Sequence, residues 1–158
     1  MRAILLFLIL IQTRGETIQT CPKYCTCKLG AQAEWLRIKC SNELQNIRDI
    51  NLDSVSVELV QLDLSKNDIY AIEANIFKNL TNLKRLNLSQ NDITFIGENS
   101  FDGLGNLERL DLSKNQISTI DAHTFSKLPN LKRLKLNENK LTTLMEGTFY
   151  GLKSLKQL

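Results

Sequence analysis

A leucine pattern that returns every 24 residues constrains this chain more than any other feature. Four complete units begin at Leu59, Leu83, Leu107 and Leu131, and a fifth begins at Leu155 and stops at Leu158. A short unit of fixed period cannot bury its apolar face alone and becomes stable when it stacks against its neighbours. The repeat therefore predicts a solenoid in which each unit closes one turn.

Leucine occupies positions 1, 4 and 6 of every unit, as in Leu59, Leu62 and Leu64. The alternation at positions 4 and 6 has a period of two, which predicts a short strand with one side inward and the other toward solvent. Phenylalanine at position 19 is predicted to fill the core from the opposite side of the coil, at Phe77, Phe101, Phe125 and Phe149.

Asparagine occupies position 9 of every unit, just after the predicted strand. The four residues are Asn67, Asn91, Asn115 and Asn139. An amide beside an apolar strand is unfavourable to bury unless it is hydrogen-bonded. We therefore expect these side chains to bond the turning backbone of adjacent coils and form a structural ladder.

The complete pattern, L-x-x-L-x-L-x-x-N-x-I-x-x-I-x-x-x-x-F-x-x-L, resembles the 24-residue class of leucine-rich repeats common in secreted and cell-surface proteins. It runs through residues 59–158, as units 59–82, 83–106, 107–130 and 131–154 and the partial unit 155–158. The resemblance implies an α/β-type solenoid. It would be a right-handed coil with a parallel β-sheet on the concave face and a mostly irregular or 3₁₀ convex side.

Residues 1–15, or 1–20 on a longer reading, have the layout of a secretory signal peptide. Arg2 is followed by nine apolar residues, 3–11, and then by small residues on either side of Arg14. Nine residues are too few to cross a bilayer, which needs about 20. No other apolar run approaches that length, so we expect a secreted, extracellular chain without a membrane span.

The four cysteines lie within residues 21–58, which we interpret as an N-terminal cap: Cys21, Cys25, Cys27 and Cys40. An even cluster in an exported chain is typical of two disulfides, and the alternative, a zinc site, is disfavoured because no histidine lies near. Four cysteines permit three pairings, and the spacing does not choose among them.

The cysteine cluster resembles the cap of extracellular leucine-rich-repeat proteins of the Slit, leucine-rich-repeat immunoglobulin receptor and peroxidasin N-terminal type. That resemblance implies the pairs Cys21–Cys27 and Cys25–Cys40. Counting back 24 residues from Leu59, Leu62 and Leu64 reaches Trp35, Ile38 and Cys40, so we expect a cap strand in phase with the sheet. Further along the cap, three apolar residues fall off the template: Leu44, Ile47 and Ile50.

Composition and charge exclude several classes of function. The formal net charge of +3 becomes +1 if residues 1–15 are removed, since Arg2 and Arg14 go and 18 basic residues face 17 acidic ones. Global basicity therefore does not indicate nucleic-acid binding. His123 is the only histidine, with no cysteine beside it, and we interpret it as solvent-facing. We recognise no catalytic set and expect no enzyme activity, no cofactor and no metal.

Strand positions 3, 5 and 7 are predicted to face the concave side. We assign ligand binding to five of these residues: Arg85, Arg109, Asp111, Arg133 and Lys135. Parallel strands lie about 4.8 Å apart, so the three arginines should form a column. The alternative is a solvated ladder in which aspartates balance the arginines, each exposed pair contributing about 0–1 kcal/mol.

Two N-x-S/T sequons, at Asn79 and Asn87, are candidate glycosylation sites in an exported chain. Asn79 lies away from the predicted strands, so we expect a glycan there. Asn87 lies on a concave strand, where a glycan would obstruct the centre of the predicted binding face.

The leading hypothesis is a secreted or ectodomain-derived module that recognises an extracellular protein ligand or cell-surface receptor through its concave face. One alternative is an extracellular-matrix component that binds collagen or sulfated glycans, and another is the N-terminal fragment of a peroxidasin-like enzyme. The chain stops within a strand pattern, which we interpret as truncation. Self-association through the open edge is the other reading.

Overall fold

The computed structural model describes residues 21–29, 36–40, 44–52 and 59–158. The predicted signal peptide and Trp35 lie outside these residues. Eight strands are present in the described part of the chain: β1 (Cys25–Leu29), β2 (Leu36–Cys40), β3 (Leu59–Asp63), β4 (Arg85–Asn87), β5 (Phe95–Ile96), β6 (Arg109–Asp111), β7 (Thr119–Ile120) and β8 (Arg133–Lys135).

The main sheet has the order β1-β2-β3-β4-β6-β8, and every neighbouring pair except β1 and β2 is parallel. Leu62 pairs with Leu86, and Leu110 with Leu134, so each strand is displaced from the next by one repeat. Gln157 forms a parallel bridge to Arg133 and continues the same register into the fifth unit. The solenoid with a parallel sheet is therefore confirmed.

In the first three units the leucines at positions 1, 4 and 6 are inward-facing and fully buried, as Leu86 and Leu110 illustrate, whereas Leu136 of the fourth unit is only partly buried. The phenylalanines close the core from the convex side. The ring of Phe125 stacks against Phe101 and Phe149, with centroid distances of 5.8 and 6.2 Å. Burying such side chains removes apolar area from water at about 25 cal/mol per Å², which makes this continuous core the main stabilising element.

The asparagine at position 9 bonds its own coil to the preceding one. In Asn91, Nδ2 donates to the carbonyl oxygens of Leu64 and Leu88 at 3.0 Å each, and Oδ1 accepts the N–H of Ile69 at 3.1 Å. The same arrangement recurs at the other three ladder residues: Asn67, Asn115 and Asn139. These bonds satisfy backbone groups that the turn after each strand leaves without a sheet partner.

A second, exposed series of asparagines lies at position 24. Asn106 Nδ2 donates to the carbonyl oxygen of Thr81 at 3.0 Å, and Asn130 Nδ2 donates to that of Gly105 at 2.9 Å. Both side chains reach water, so water can replace these bonds. The asparagines at positions 9 and 24 therefore make the same kind of hydrogen bond to the preceding coil, the first in buried and the second in exposed surroundings.

The cap joins the solenoid as the first strands of the sheet. Cys21 pairs with Cys27 and Cys25 with Cys40, which is the pairing that the resemblance implied. Ile38 pairs in parallel with Leu62, so this part of the cap strand is in phase as the count of 24 residues predicted. At the start of the strand the count is wrong, because a register shift between Leu36 and Arg37 places Leu36 opposite Leu59. Within the part of the cap that is described, four further apolar residues are buried: Leu44, Ile47, Ile50 and Leu52. They leave the repeat template but still cover the first coil.

A 3₁₀ helix, Ile47–Ile50, ties the cap to the first repeat. The Asn46 side chain accepts the N–H of Arg48 at its start. Glu73 receives a hydrogen bond from Asn46 Nδ2 and forms an ion pair with Arg48. The cap is therefore held to the solenoid by side chains as well as by the sheet.

The convex side of residues 59–158 consists of turns and the short parallel pair β5 and β7. Close packing there requires glycine at Gly103, which has a φ of +92°. A Cβ at this position would lie 2.5 Å from both Cα and the carbonyl oxygen of Lys78.

The described residues contain no helix with the length and apolar character that a membrane span needs.

Replacing a buried ladder asparagine should destabilise the protein far more than replacing an exposed one. Asn115→Ala leaves the Ile93 N–H without its acceptor in a dry site, so we expect a loss of about 2–3 kcal/mol in the free energy of unfolding. Asn130→Ala should lose less than about 1 kcal/mol, since water reaches that site. Urea denaturation measures both, and equal losses would contradict the role of the buried ladder.

Gly103→Ala should lower the free energy of unfolding by about 1–3 kcal/mol, because it adds backbone overlap with Lys78 to an unfavourable positive φ. Gly105→Ala is the matched control, since its Cβ would meet no atom within 4 Å. We expect Gly105→Ala to shift stability by no more than about 0.5 kcal/mol. A thermal melt of the two variants compares them, and a larger effect at residue 105 would refute the packing argument.

Candidate functional site

The concave face forms an open groove of about 490 Å³ between the strands of the main sheet, which we call the concave groove. All five residues assigned to ligand binding from the sequence line it: Arg85, Arg109, Asp111, Arg133 and Lys135. Their Cα positions are fixed by hydrogen-bonded parallel strands. The groove is therefore a preformed surface rather than a collection of loops.

Arginines at position 3 stand side by side across the groove. Arg85 pairs in register with Arg109, and Arg109 with Arg133. All three are exposed, and neighbouring strands are about 4.8 Å apart. Among the described residues, none of the three forms an ion pair. Like charges on directly neighbouring strands destabilise a sheet, so the column of arginines does not contribute to the stability of the fold.

The cap extends the basic surface, which the sequence reasoning missed. Arg37 pairs in register with Gln61 and lies in the same row as the arginines of the repeats, while Lys39 pairs with Asp63. Lys28 on β1 lies opposite Arg37. Counting back 24 residues from Gln61 and Asp63 reaches Arg37 and Lys39, so the repeat period could have predicted both residues. We call Arg37, Arg85, Arg109 and Arg133 the arginine row.

The residues at position 5 form a second row, in which charges are balanced internally. Lys135 Nζ lies 3.0 Å from Asp111 Oδ2, and Lys39 Nζ lies 3.9 Å from Asp63 Oδ2. Between these two pairs lies the neutral Asn87, whose Oδ1 accepts the N–H of Ser89 at 3.1 Å. The alternative in which the aspartates balance the arginines is therefore not what the structure shows, because Asp63 and Asp111 pair with lysines of their own row.

Partial burial raises the pKa of Asp111, but three interactions outweigh it. The Ser113 hydroxyl, the Lys135 ammonium and the Ser113 N–H together hold this pKa below its ordinary value of 3.8. On the flank of the sheet, the Lys132 ammonium lowers the pKa of Glu108 through a contact of 3.0 Å. Both carboxylates are charged at neutral pH.

Serines at position 7 do not line the groove, contrary to the expectation that this position faces the concave side. Ser65 and Ser113 are each only 7% exposed. Their hydroxyls donate to Asp63 and Asp111, respectively, at 2.6 Å. They orient the aspartates and are not themselves available to a ligand.

The two sequons lie in different surroundings. Asn79 is exposed in a turn on the convex side. Asn87 is partly buried in β4 and lines the concave groove. Glycosylation at either residue remains a prediction, and a glycan on Asn87 would occupy the groove.

His123 lies on the convex side, exposed, with the ring of Tyr150 edge-on at 5.3 Å. In the described part of the chain, no group of three or more histidine, cysteine or acidic side chains is arranged to hold a metal ion. The concave groove is therefore the surface with the most distinctive chemistry in the described residues.

Comparison with known proteins supports the same interpretation of the repeats. The family model described as "Leucine rich repeat" matches residues 57–117 and 106–158, which together make up about two thirds of the chain. A separate search of curated proteins found no match to the chain.

Asp111→Asn should weaken stability more at neutral pH than in acid. Asn87 shows that an amide oxygen can accept the same backbone N–H, so the substitution removes chiefly the charge. Because the folded-state pKa is lowered, the contribution of Asp111 is full above 3.8 and is lost as the pH falls through the folded-state value.

We expect a loss of up to about 1 kcal/mol at pH 7, since the pair is partly exposed, and a difference that becomes smaller as the pH falls from 3.8 toward about 2. Thermal melts of both proteins between these pH values measure it. A difference that does not change with pH would show that Asp111 acts through packing and not through its charge.

Proposed function

The chain belongs to the leucine-rich repeat family, and on that premise we propose that it is a secreted or ectodomain-derived module that binds an extracellular protein ligand or receptor through its concave groove. Leucine-rich repeat domains are generally protein-binding modules. One observation carries the proposal: the sheet presents a row of exposed arginines, and none of the three in the repeats forms an ion pair with an acidic side chain of the described residues.

The rigidity of the groove supports specific recognition. The side chains that would contact a ligand project from hydrogen-bonded strands, so little backbone conformational entropy is lost when they bind. Solenoids commonly use such extended concave surfaces for recognition. The basic character of this surface favours an acidic partner and fast, salt-dependent association.

The cap supports an extracellular location. Two disulfides join its four cysteines, and disulfides persist chiefly in oxidising compartments. The proposed signal peptide would direct the chain there. We propose no catalytic role, since a single histidine remote from the groove offers no acid–base set.

A matrix component that binds collagen or sulfated glycans is the second candidate. The excess of cationic side chains in the groove favours it, because sulfate groups also pair with guanidinium groups. The two candidates differ in partner and not in surface. A panel of immobilised cell-surface ectodomains, collagen and heparin separates them.

A bulky neutral residue in the groove should block partner capture whatever the partner's charge. Gln61→Trp places an indole between Arg37 and Arg85 without altering net charge. We expect it to weaken binding to any ectodomain that the wild-type protein captures by at least about tenfold, since one lost contact region is worth about 1.4 kcal/mol or more.

Thr142→Trp is the matched control, because Thr142 is exposed and does not line the groove. It should bind like the wild type, and both variants should melt within a few degrees of it. Surface plasmon resonance on the panel measures the affinities. Unchanged capture by Gln61→Trp, or capture of collagen and heparin alone, would overturn the proposal.

A further inference from the structure

We propose that the concave groove binds an acidic polypeptide segment that crosses the strands along the arginine row, with the cap as part of the binding surface. This inference rests on the proposed function and specifies the chemistry of its ligand.

The positive charge of the protein is concentrated in the groove. Seven cationic side chains and two acidic ones line it, a formal charge of +5. The whole chain has a net charge of +3, so all the residues outside the groove together have −2. Such a separation attracts an anionic partner to this face in preference to the others.

Three of the cations come from the cap: Lys28, Arg37 and Lys39. They are held in place by the antiparallel pairing of β1 with β2 and by the parallel pairing of β2 with β3. A ligand that follows the arginine row therefore reaches the cap as well as the repeats. The disulfide-bonded cap contributes to recognition in addition to closing the core.

The acidic residues of the groove are already engaged. Asp111 accepts hydrogen bonds from the Ser113 hydroxyl and N–H and pairs with Lys135. Asp63 has the equivalent serine bonds and lies near Lys39. Neither aspartate forms an ion pair with the arginine row, so the guanidinium groups remain for a ligand. Their planar donors match a carboxylate, which they can bind through two parallel hydrogen bonds.

A polypeptide fits this groove better than a uniformly sulfated chain does. Beside the arginine row lies the position 5 row, with two carboxylates and the amide of Asn87. A polyanion with sulfates along its whole length would bring some of them against Asp63 and Asp111. A peptide can place its acids over the arginines and its backbone N–H groups toward the aspartates. The mixture of donors and acceptors therefore favours a peptide.

The arginine row also sets the length of the segment. From Arg37 to Arg133 there are four strand spacings of about 4.8 Å, roughly 19 Å in all. An extended chain advances about 3.3 Å per residue, so about six residues span the row. Gln61 interrupts the charge between Arg37 and Arg85, which places the strongest binding at the three arginines of the repeats.

The test uses a fluorescein-labelled peptide of six glutamates and the full chain, followed by fluorescence anisotropy. The row variant Arg85→Gln/Arg109→Gln/Arg133→Gln should weaken binding at least tenfold and reduce its dependence on salt. Arg37→Gln should weaken binding about threefold, and unchanged binding would show that the cap is not part of the binding surface. A peptide of six glutamines should not bind.

The matched control is Lys78→Gln/Lys127→Gln/Lys153→Gln, which removes the same charge from exposed residues outside the groove. It should bind the acidic peptide within twofold of the wild type. Thermal midpoints close to that of the wild type show that the variants are folded. Equal losses in the two triple variants would show that net charge alone governs binding and would overturn the inference.

A heparin-derived hexasaccharide is the competing probe. If it binds at least tenfold more tightly than the acidic peptide at the same salt concentration, the ligand is a sulfated glycan and the inference is wrong.

Failure of this inference can be distinguished from failure of the proposed function. If Gln61→Trp blocks ectodomain capture but the row variant does not, the groove binds a partner of other chemistry. If the row variant no longer binds the acidic peptide while Gln61→Trp still captures the ectodomain, the peptide site is supported and the proposed function is wrong.

Discussion

The hydrogen bonds that each buried asparagine makes to the preceding coil hold the strands of this protein in register. The amide of Asn91 reaches the carbonyl oxygen of Leu64 and the N–H of Ile69, both in the coil before its own. A strand shifted by one residue would turn its leucines to solvent and leave these backbone groups unpaired inside the core. The 24-residue period therefore meets two requirements together: the leucines are buried, and the backbone groups of the turn are hydrogen-bonded. Because the strands are held in register, the outward-facing side chains of successive units lie side by side.

Because the core and the ladder fix the backbone, the outward-facing side chains are free to serve other purposes. At position 5 they are paired as lysine and aspartate, an arrangement that adds little stability at an exposed site. At position 3 they are arginines that repel each other. A protein selected for stability alone would have alternated charges in both rows. The difference between the rows is the strongest sign that the concave groove is used for binding.

The sequence allowed the repeat strands of the main sheet, their register and the five predicted groove residues to be placed, since all of these depend on a local period. The count of 24 residues also extends to Ile38 in the cap. Two features do not follow the period. Lys28 reaches the groove through an antiparallel strand, whose position depends on tertiary pairing. Leu44 and Ile47 leave the template because a cap packs against one neighbour only, yet they are buried. Ser65 was predicted to face the groove, and this was wrong, because alternation predicts the side of the strand but not the hydrogen bond that holds the hydroxyl against Asp63.

The neutral residue at the centre of the position 5 row sharpens the argument for an anionic partner. Asp63 and Asp111 occupy position 5 in the first and third units, and Asn87 occupies it in the second. The turn does not require a carboxylate there, since the amide oxygen of Asn87 accepts the same N–H that the aspartates accept. An aspartate at residue 87 would place a third negative charge beside Arg85 and Arg109. The amide keeps the backbone bond and omits that charge, so the field of the arginine row is strongest where its three members adjoin.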